Sequence, residues 1–200
     1  DVYVISDDNV WALHGETLRS RLPGRHVHVV TVTPGETSKS PGTYLEVVGR
    51  LMDQGIRRDN MIIGFGGGVV TDLAGFVAAT LFRGVRFASV PTSLLSMVDA
   101  SIGSKTGIDL PQGKNLIGAF KDPDWVIVDT SYLETLPDAY MTDGLTEVIK
   151  AALIGDSELY RMIKEDDAVS EEIVMRAIEV KRAIVLEDRL ETGKRMLLNF

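Results

Sequence analysis

The residues best suited to chemistry begin with a glycine turn, Gly64-Phe65-Gly66-Gly67-Gly68-Val69-Val70-Thr71-Asp72-Leu73-Ala74-Gly75-Phe76. It follows Met61-Ile62-Ile63, an apolar run that reads as a buried strand, and precedes residues 73–81, an alanine-rich segment that reads as a helix. Strand, glycine turn and helix N-terminus in that order bind phosphate. Backbone without Cβ atoms approaches an anion closely, and the first N–H groups of a helix lack internal partners. The spacing departs from the dinucleotide fingerprint G-x-G-x-x-G, because Val69 stands where the third glycine belongs. The turn points to a nucleotide or a phosphate without naming one. A tight connection that requires only one glycine is the plainer alternative.

Asp99 lies one turn from Leu95 and Ile102, so its carboxylate borders the apolar face of a helix expected over residues 94–102. A buried carboxylate without partners is costly, which calls for a nearby cation, and Lys105 and Lys114 follow in the sequence. A helix-surface aspartate with solvated lysines is equally consistent. Lys181 interrupts the stripe Val174, Ile178, Lys181, Val185, spaced i, i+4, i+7, i+11. Either its stem is buried while the ammonium reaches water, or the ammonium points into a cleft and holds a substrate anion. Glu147 and Lys150, with Asp143 one turn earlier, occupy the face opposite Leu145, Val148, Ile149 and Ala152, as an exposed ion pair would. Glu36 and Lys39 read as loop charges, although an acidic residue after the second strand can accept ribose hydroxyls in nucleotide-binding α/β folds. His26 and His28 share one face of a strand, where surface imidazoles are a simpler reading than a metal chelate, and His14 stands alone. No Ser-His-Asp or H-E-x-x-H arrangement can be read, so hydrolase chemistry finds no support.

Alternating elements must position these groups. Val2-Tyr3-Val4-Ile5, residues 26–32, 61–63 and 85–90, and Trp125-Val126-Ile127-Val128 read as strands. Helices are expected over 10–21, capped by Asp8 or Asn9, and over 44–54, 73–81 and 94–102, the last capped by Thr92 or Ser93. Residues 103–117, with Lys105, Lys114 and Asn115, read as a long loop punctuated by glycine. The alternation implies a mainly parallel sheet covered on both faces. After Pro137 only helices are expected, over 140–154, 157–163 and 170–186. The fold class is an α/β, Rossmann-like nucleotide-binding domain over 1–137, followed by part of an all-α domain over 138–200.

The 200 residues are 44% apolar and 25% charged, with a net charge of −8. That balance fits a globular protein and argues against a general nucleic-acid partner. No apolar window of about 20 residues and no leader or lipidation motif points to a membrane. Zero cysteines remove disulfides and thiolate metal sites, and the cytoplasm is the expected location. A start at Asp1 without Met and an end inside Met196-Leu197-Leu198-Asn199-Phe200 read as a piece of a longer protein.

Several ordered motifs coincide. Pro34-Gly35-Glu36-x-x-Lys39 comes first, then the glycine turn, Phe82-Arg83-Gly84 and Val90-Pro91-Thr92-Ser93-Leu94-Leu95. Val98-Asp99-Ala100-Ser101, Gly103-Ser104-Lys105-Thr106-Gly107, Gly113-Lys114-Asn115-x-Ile117-Gly118 and Gly144-Leu145-x-Glu147-Val148-Ile149-Lys150 follow. In that order and spacing the chain resembles the 3-dehydroquinate synthase family over nearly its whole length. The resemblance implies an NAD- and metal-dependent carbon–oxygen lyase of the shikimate pathway, usually a homodimer. It would convert 3-deoxy-D-arabino-heptulosonate 7-phosphate to 3-dehydroquinate and phosphate by transient oxidation, phosphate elimination, re-reduction and internal aldol closure.

The same resemblance implies residue roles. Glu36 and Lys39 would meet the adenosine portion of NAD, Gly67, Gly68 and Asp72 would line the pyrophosphate turn, and Thr92 and Ser93 would sit beside the cofactor. Lys105, Lys114 and Asn115 would line the NAD and substrate-phosphate region, while Asp99, Lys150 and Lys181 would contact substrate hydroxyls and carboxylate. Arg83 would reach phosphate from the neighbouring subunit, Arg195 and Asn199 match family substrate contacts, and Glu147 would ligate Zn²⁺ or Co²⁺. Ser104 stands where the family usually has a second glycine, and Asp109 where Asn is common. The larger departure concerns the metal. The family draws its other ligands from histidines that follow Leu-Asn-Phe, and this chain has no histidine after His28. An incomplete metal site and little or no synthase activity are therefore expected. Three alternatives stay open. One is a 2-deoxy-scyllo-inosose or epi-valiolone synthase; another is a glycerol or iron-dependent alcohol dehydrogenase, whose turn continues Asp-x-Ala-Lys where Gly75 stands here; the third is a noncatalytic NAD-binding fragment.

Overall fold

The computed structural model describes residues 1–165 and 168–199, so Asp166, Asp167 and Phe200, the end of the terminal apolar run, lie outside the described residues. The strands are β1 (Val2–Asp7), β2 (Val27–Val32), β3 (Met61–Gly66), β4 (Arg86–Pro91), β5 (Lys105–Leu110), β6 (Gly113–Phe120) and β7 (Trp125–Val126). The helices are α1 (Asp8–Ser20), α2 (Pro41–Asp53), α3 (Gly68–Thr80), α4 (Asp138–Gly155), α5 (Ser157–Glu165) and α6 (Glu171–Glu187). Five strands form an all-parallel sheet in the order β2-β1-β3-β4-β7. From β7 onward the described residues contain helices and 3-10 turns only.

Alternate residues of the strands serve two cores. Val4, Ile63, Phe65 and Val90 face a core shared with Leu18 of α1 and with Val148, Ala152 and Ile178 of the later helices. Tyr3, Ile5, Ile62 and Phe87 face Val47 and Leu51 of α2 and Leu73 and Val77 of α3. Burial on both faces explains why these strands are apolar runs without polar alternation. The helices start where side chains satisfy their orphan N–H groups. Asp7, one residue before the expected cap, accepts from Asn9 N at 3.0 Å and Val10 N at 2.9 Å, and Ser40 caps α2 ahead of Pro41.

Three elements differ from expectation. Helix α3 starts at Gly68 rather than at residue 73, with Gly67 as its cap and Gly68-Val69-Val70-Thr71 as its first turn. Strand β7 keeps only Trp125–Val126. Residues expected to form a long loop instead make the antiparallel hairpin β5–β6. Gly107 opposes Gly118, and the ladder is so close there that a Cβ on Gly118 would lie 2.4 Å from the Thr106 carbonyl oxygen. Glycine is poor in strand propensity, so the residues that permit this approach also conceal the strands in the sequence. The expected helix over 94–102 contains a π turn, Ser96–Ala100, a feature that concentrates at functional sites. In an open α/β sheet the ligand crevice lies at the C-terminal strand ends where strand order reverses. Here that point falls between β1 and β3, beside Asp7 and Gly66.

Candidate active site

A cleft of about 1290 Å³ opens at that switch point, bounded by strand ends, the hairpin and the later helices. Gly67, Gly68, Val69, Val70 and Asp72 from the glycine turn line it. Gly67 caps α3 without any side-chain hydrogen bond, and the first amide that bonds back is Thr71 N, to Gly67 O at 3.0 Å. The N–H groups of Gly68, Val69 and Val70 thus have no helical acceptor, and together with the helix dipole they favour an anion. A Cβ at Gly68 would meet Ala100 Cβ at 3.3 Å and Leu95 Cδ2 at 3.5 Å, so the turn sits tightly against the π segment. Ser93, rather than Thr92, caps the helical turn at Leu94 that leads into that segment, accepting from Ser96 N at 3.3 Å; both line the cleft.

Lys39 is not a loop charge. It is buried, with Nζ 2.5 Å from Asp72 Oδ2, tying the turn Glu36–Ser38 to α3. Burial raises the Asp72 pKa, and the Lys39 charge opposes that rise. Glu36 lines the cleft, with Oε1 3.0 Å from Nζ of exposed Lys114. Asn115 lies in β6 in a left-handed conformation, φ 57°, where the hairpin register is irregular, its backbone N–H donating to Asp109 Oδ1 at 2.7 Å.

The partner of Asp99 is Lys181, not Lys105 or Lys114. Lys181 Nζ donates to Asp99 Oδ1 at 2.5 Å and to the Asp99 carbonyl oxygen at 2.6 Å. With a side chain 12% exposed, Lys181 does not reach out to bulk water; it faces the cleft from the α6 stripe. Burial pulls its pKa below 10.5, Asp99 pushes it back, and Arg195 and Lys150 add to the fall. The consequence for stability follows from linkage. Between the lowered folded-state pKa and 10.5 the unfolded chain holds a proton that the folded chain has released, so this group makes stability rise with pH. The difference in urea midpoint between wild type and Lys181→Met is expected to move in favour of wild type as pH rises through that window. A flat or opposite trend would contradict the assigned direction.

Glu147 and Lys150 also depart from the exposed ion pair expected of them. Their side chains are 22% and 14% exposed, with Glu147 Oε2 2.5 Å from Lys150 Nζ. Lys150 Nζ further donates to the Leu198 carbonyl oxygen at 2.9 Å. Leu198 of the terminal turn Lys194–Asn199 thus reaches this helix face, which periodicity within α4 could not reveal. Glu147 Oε2 is buried and lacks a well-directed hydrogen-bond donor.

The segment after α6 brings further groups to the site. Asp188 accepts from the amides of Thr192, Gly193 and Arg195. The buried Arg195 guanidinium donates to Arg189 O at 2.5 Å. Glu191 contacts Lys105 and accepts from Asn199 Nδ2 at 2.5 Å. Lys105, Arg195 and Asn199 all line the cleft. Arg83 does not; it stands exposed on a turn at φ 61°. Two lining residues carried no usable local signal. His14, whose Nε2 is 2.7 Å from Thr135 Oγ1, is one, and Asp143 is the other.

An uncapped glycine turn at the switch point of a parallel sheet, opening on a cleft that also holds buried cations, defines a nucleotide-binding α/β fold. The family model for the 3-dehydroquinate synthase N-terminal region matches residues 29–143, and that for the C-terminal region matches 144–200. The 3-dehydroquinate synthase of a Ruegeria species is 44% identical over 99% of this chain and 56% of its own length. That of Clostridium kluyveri is 41% identical over 100% and 58%. Among solved structures, the 2-epi-5-epi-valiolone synthase of Streptomyces hygroscopicus, with NAD⁺ and Zn²⁺ bound, superposes with a TM-score of 0.90 at 28% identity, covering 99% of this chain and 59% of that one. The iron-containing alcohol dehydrogenase of Thermotoga maritima, 14% identical with a TM-score of 0.67 over 90% and 59% of the two chains, shares the fold. This chain belongs to the 3-dehydroquinate synthase family. It spans a little over half the length of the curated relatives it matches.

Proposed function

We propose that this chain is the cofactor-binding part, residues 1–137, and a portion of the helical part, 138–200, of a cytoplasmic 3-dehydroquinate synthase. The enzyme converts 3-deoxy-D-arabino-heptulosonate 7-phosphate to 3-dehydroquinate with loss of phosphate. The observation that carries the reading is the Asp99–Lys181 pair in the same cleft as the uncapped glycine turn. One part of the cleft suits a pyrophosphate and the other a polyhydroxy acid. Curated relatives named 3-dehydroquinate synthase at 38% to 45% identity favour this reaction over those of the inosose and valiolone cyclases.

NAD, when bound, supplies a hydride acceptor that returns the hydride within the same turnover. The residues present fit it, because three amides without helical acceptors follow a turn in which Gly67 and Gly68 carry no side chain. Gly67, Gly68 and the α3 amides bind the pyrophosphate, Thr92 and Ser93 flank the cofactor, and Glu36 accepts ribose hydroxyls once it leaves Lys114. Lys39 holds Asp72 and so fixes the turn. Lys105, Asn115, Arg195 and Asn199 bind the substrate phosphate and its neighbouring hydroxyls. Lys181 and Asp99 orient the hydroxyl and carboxylate end, and Lys150 holds Leu198, which lines the cleft. Arg83, exposed in one protomer, reaches the phosphate of the second protomer in a homodimer.

The metal fits less well. Glu147 offers one buried oxygen with an unused lone pair, but among the described residues it belongs to no group of three His, Asp or Glu ligands; the one trio at chelating distance is Asp1, His26 and His28. No step is assigned to a metal, and the 200-residue polypeptide is expected to bind NAD with little or no turnover. Titration with NAD by calorimetry tests the reading. Saturable binding is expected, and Gly68→Val, whose side chain presses on Ala100 and Leu95 and so displaces the turn, should weaken it by about tenfold or more, or at least 1.4 kcal/mol. A wild-type chain that is folded and does not bind NAD would sink the proposal.

A further inference from the structure

We propose that Asp1, His26 and His28 form a surface site for a divalent transition-metal ion such as Zn²⁺, separate from the cleft. Strand register creates it. In the parallel pairing of β1 and β2, Val2 opposes Val27 and Tyr3 opposes His28, while Val2 N donates to His26 O at 3.0 Å. That pairing sets Asp1 beside His26, and residues two apart in a strand share a face. Asp1 Oδ1 lies 3.6 Å from His26 Nδ1, and the two imidazole rings are 4.3 Å apart between centroids. One ligand atom from each of the three residues lies within 4.8 Å of the others.

His28 is held in place. Its ring stacks on Tyr3 at 4.5 Å and an interplanar angle of 5°, and buried Tyr3 donates its hydroxyl to Gln54 O at 3.2 Å. One imidazole is therefore ordered by the core before any ion arrives, which lowers the entropic cost of chelation. The His26 and Asp1 side chains are 75% and 48% exposed and can rotate inward. A tetrahedral ion bound at about 2.0–2.2 Å needs ligand atoms roughly 3.3 Å apart, a modest closure from the spacing seen. Imidazole and carboxylate together suit Zn²⁺ and its neighbours rather than Mg²⁺ or Ca²⁺. Strand β2 is an edge strand, so water can fill the remaining positions.

The trio lies at the N-terminal ends of the strands, whereas the cleft lies at their C-terminal ends. A strand of 6 residues at roughly 3.3 Å per residue separates the two by about 20 Å. An ion held here takes no part in cleft chemistry, and metal uptake by this chain does not by itself report a metal at Glu147.

The test is calorimetric titration of ZnCl₂ into the chelator-free 200-residue chain, with NMR detection of the His28 ring protons as a second readout. One saturable site is expected, with the His28 resonances shifting in step. His26→Ala and Asp1→Ala should each weaken uptake at least as much as the roughly tenfold that losing a supporting partner costs, with unchanged thermal melting. Glu147→Gln should leave uptake intact. Absent saturable binding, uptake indifferent to His26→Ala, or uptake lost with Glu147→Gln would each overturn the proposal.

Discussion

Lys181→Met is expected to destabilise the fold by about 2–3 kcal/mol and to abolish binding of an anionic substrate in the cleft. Breaking a buried ion pair from one side typically costs about 3–5 kcal/mol, because the remaining charge loses its partner. Asp99 keeps 30% of its side-chain exposure and so retains some water, which places the expectation below that range. The loss comes from the stranded carboxylate and not from packing, since Met has a stem similar to that of lysine. Adding Asp99→Asn in the Lys181→Met background should therefore restore a good part of the stability while leaving binding absent. Urea denaturation of the single and double variants checks this. A single variant as stable as wild type, or a double variant no better than the single, would show that the pair carries little of the fold.

Gly144→Ala is expected to cost about 3 kcal/mol, toward the upper end of what overpacking does. Helix propensity alone gives the opposite sign, since Ala in place of an interior helical Gly usually stabilises by roughly 0.5–1 kcal/mol. Packing decides the matter. A Cβ at Gly144 would lie 2.5 Å from Leu94 Cβ, 2.6 Å from Leu94 Cγ and 2.7 Å from the Leu95 backbone nitrogen. A backbone atom cannot escape by changing rotamer, and Leu94 is fully buried. Helix α4 must therefore move away from the π turn that carries Asp99, so NAD affinity should fall together with stability. A urea midpoint for Gly144→Ala at or above that of wild type would mean that the two elements part without cost.

The sheet and most helices are legible in the sequence because their signals are local. Apolar runs bounded by turns mark β1, β3 and β4, and periodic faces mark α2 and α6. The hairpin β5–β6 was hidden because its strands meet through Gly107 and Gly118, whose value lies in close approach and not in propensity. The burial of Lys39, Glu147 and Lys150 is hidden for a related reason. Each sits on a locally polar stretch and meets its surroundings through distant segments, Lys39 through Asp72 of α3 and Lys150 through Leu198 of the terminal turn. His14 joins the cleft through α1, far in sequence from the glycine turn and from Asp99 and Lys181, so no spacing could announce it.

By itself the sequence determined the kind of protein this is. The order of its motifs, the glycine turn at a strand-to-helix junction and the alternation of elements mark an α/β, Rossmann-like chain of the 3-dehydroquinate synthase family. It also singled out Lys181 and Asp99 as misfits, because a charge on an apolar stripe violates the period of its own helix. That these two misfits satisfy one another was decided by tertiary structure alone. The residues belong to different elements, and their pairing depends on a π turn and on α6 packing against it, which no spacing along the chain encodes. Desolvation then sets the character of the pair, since the energy of a charge depends on what surrounds it and not on its neighbours in sequence.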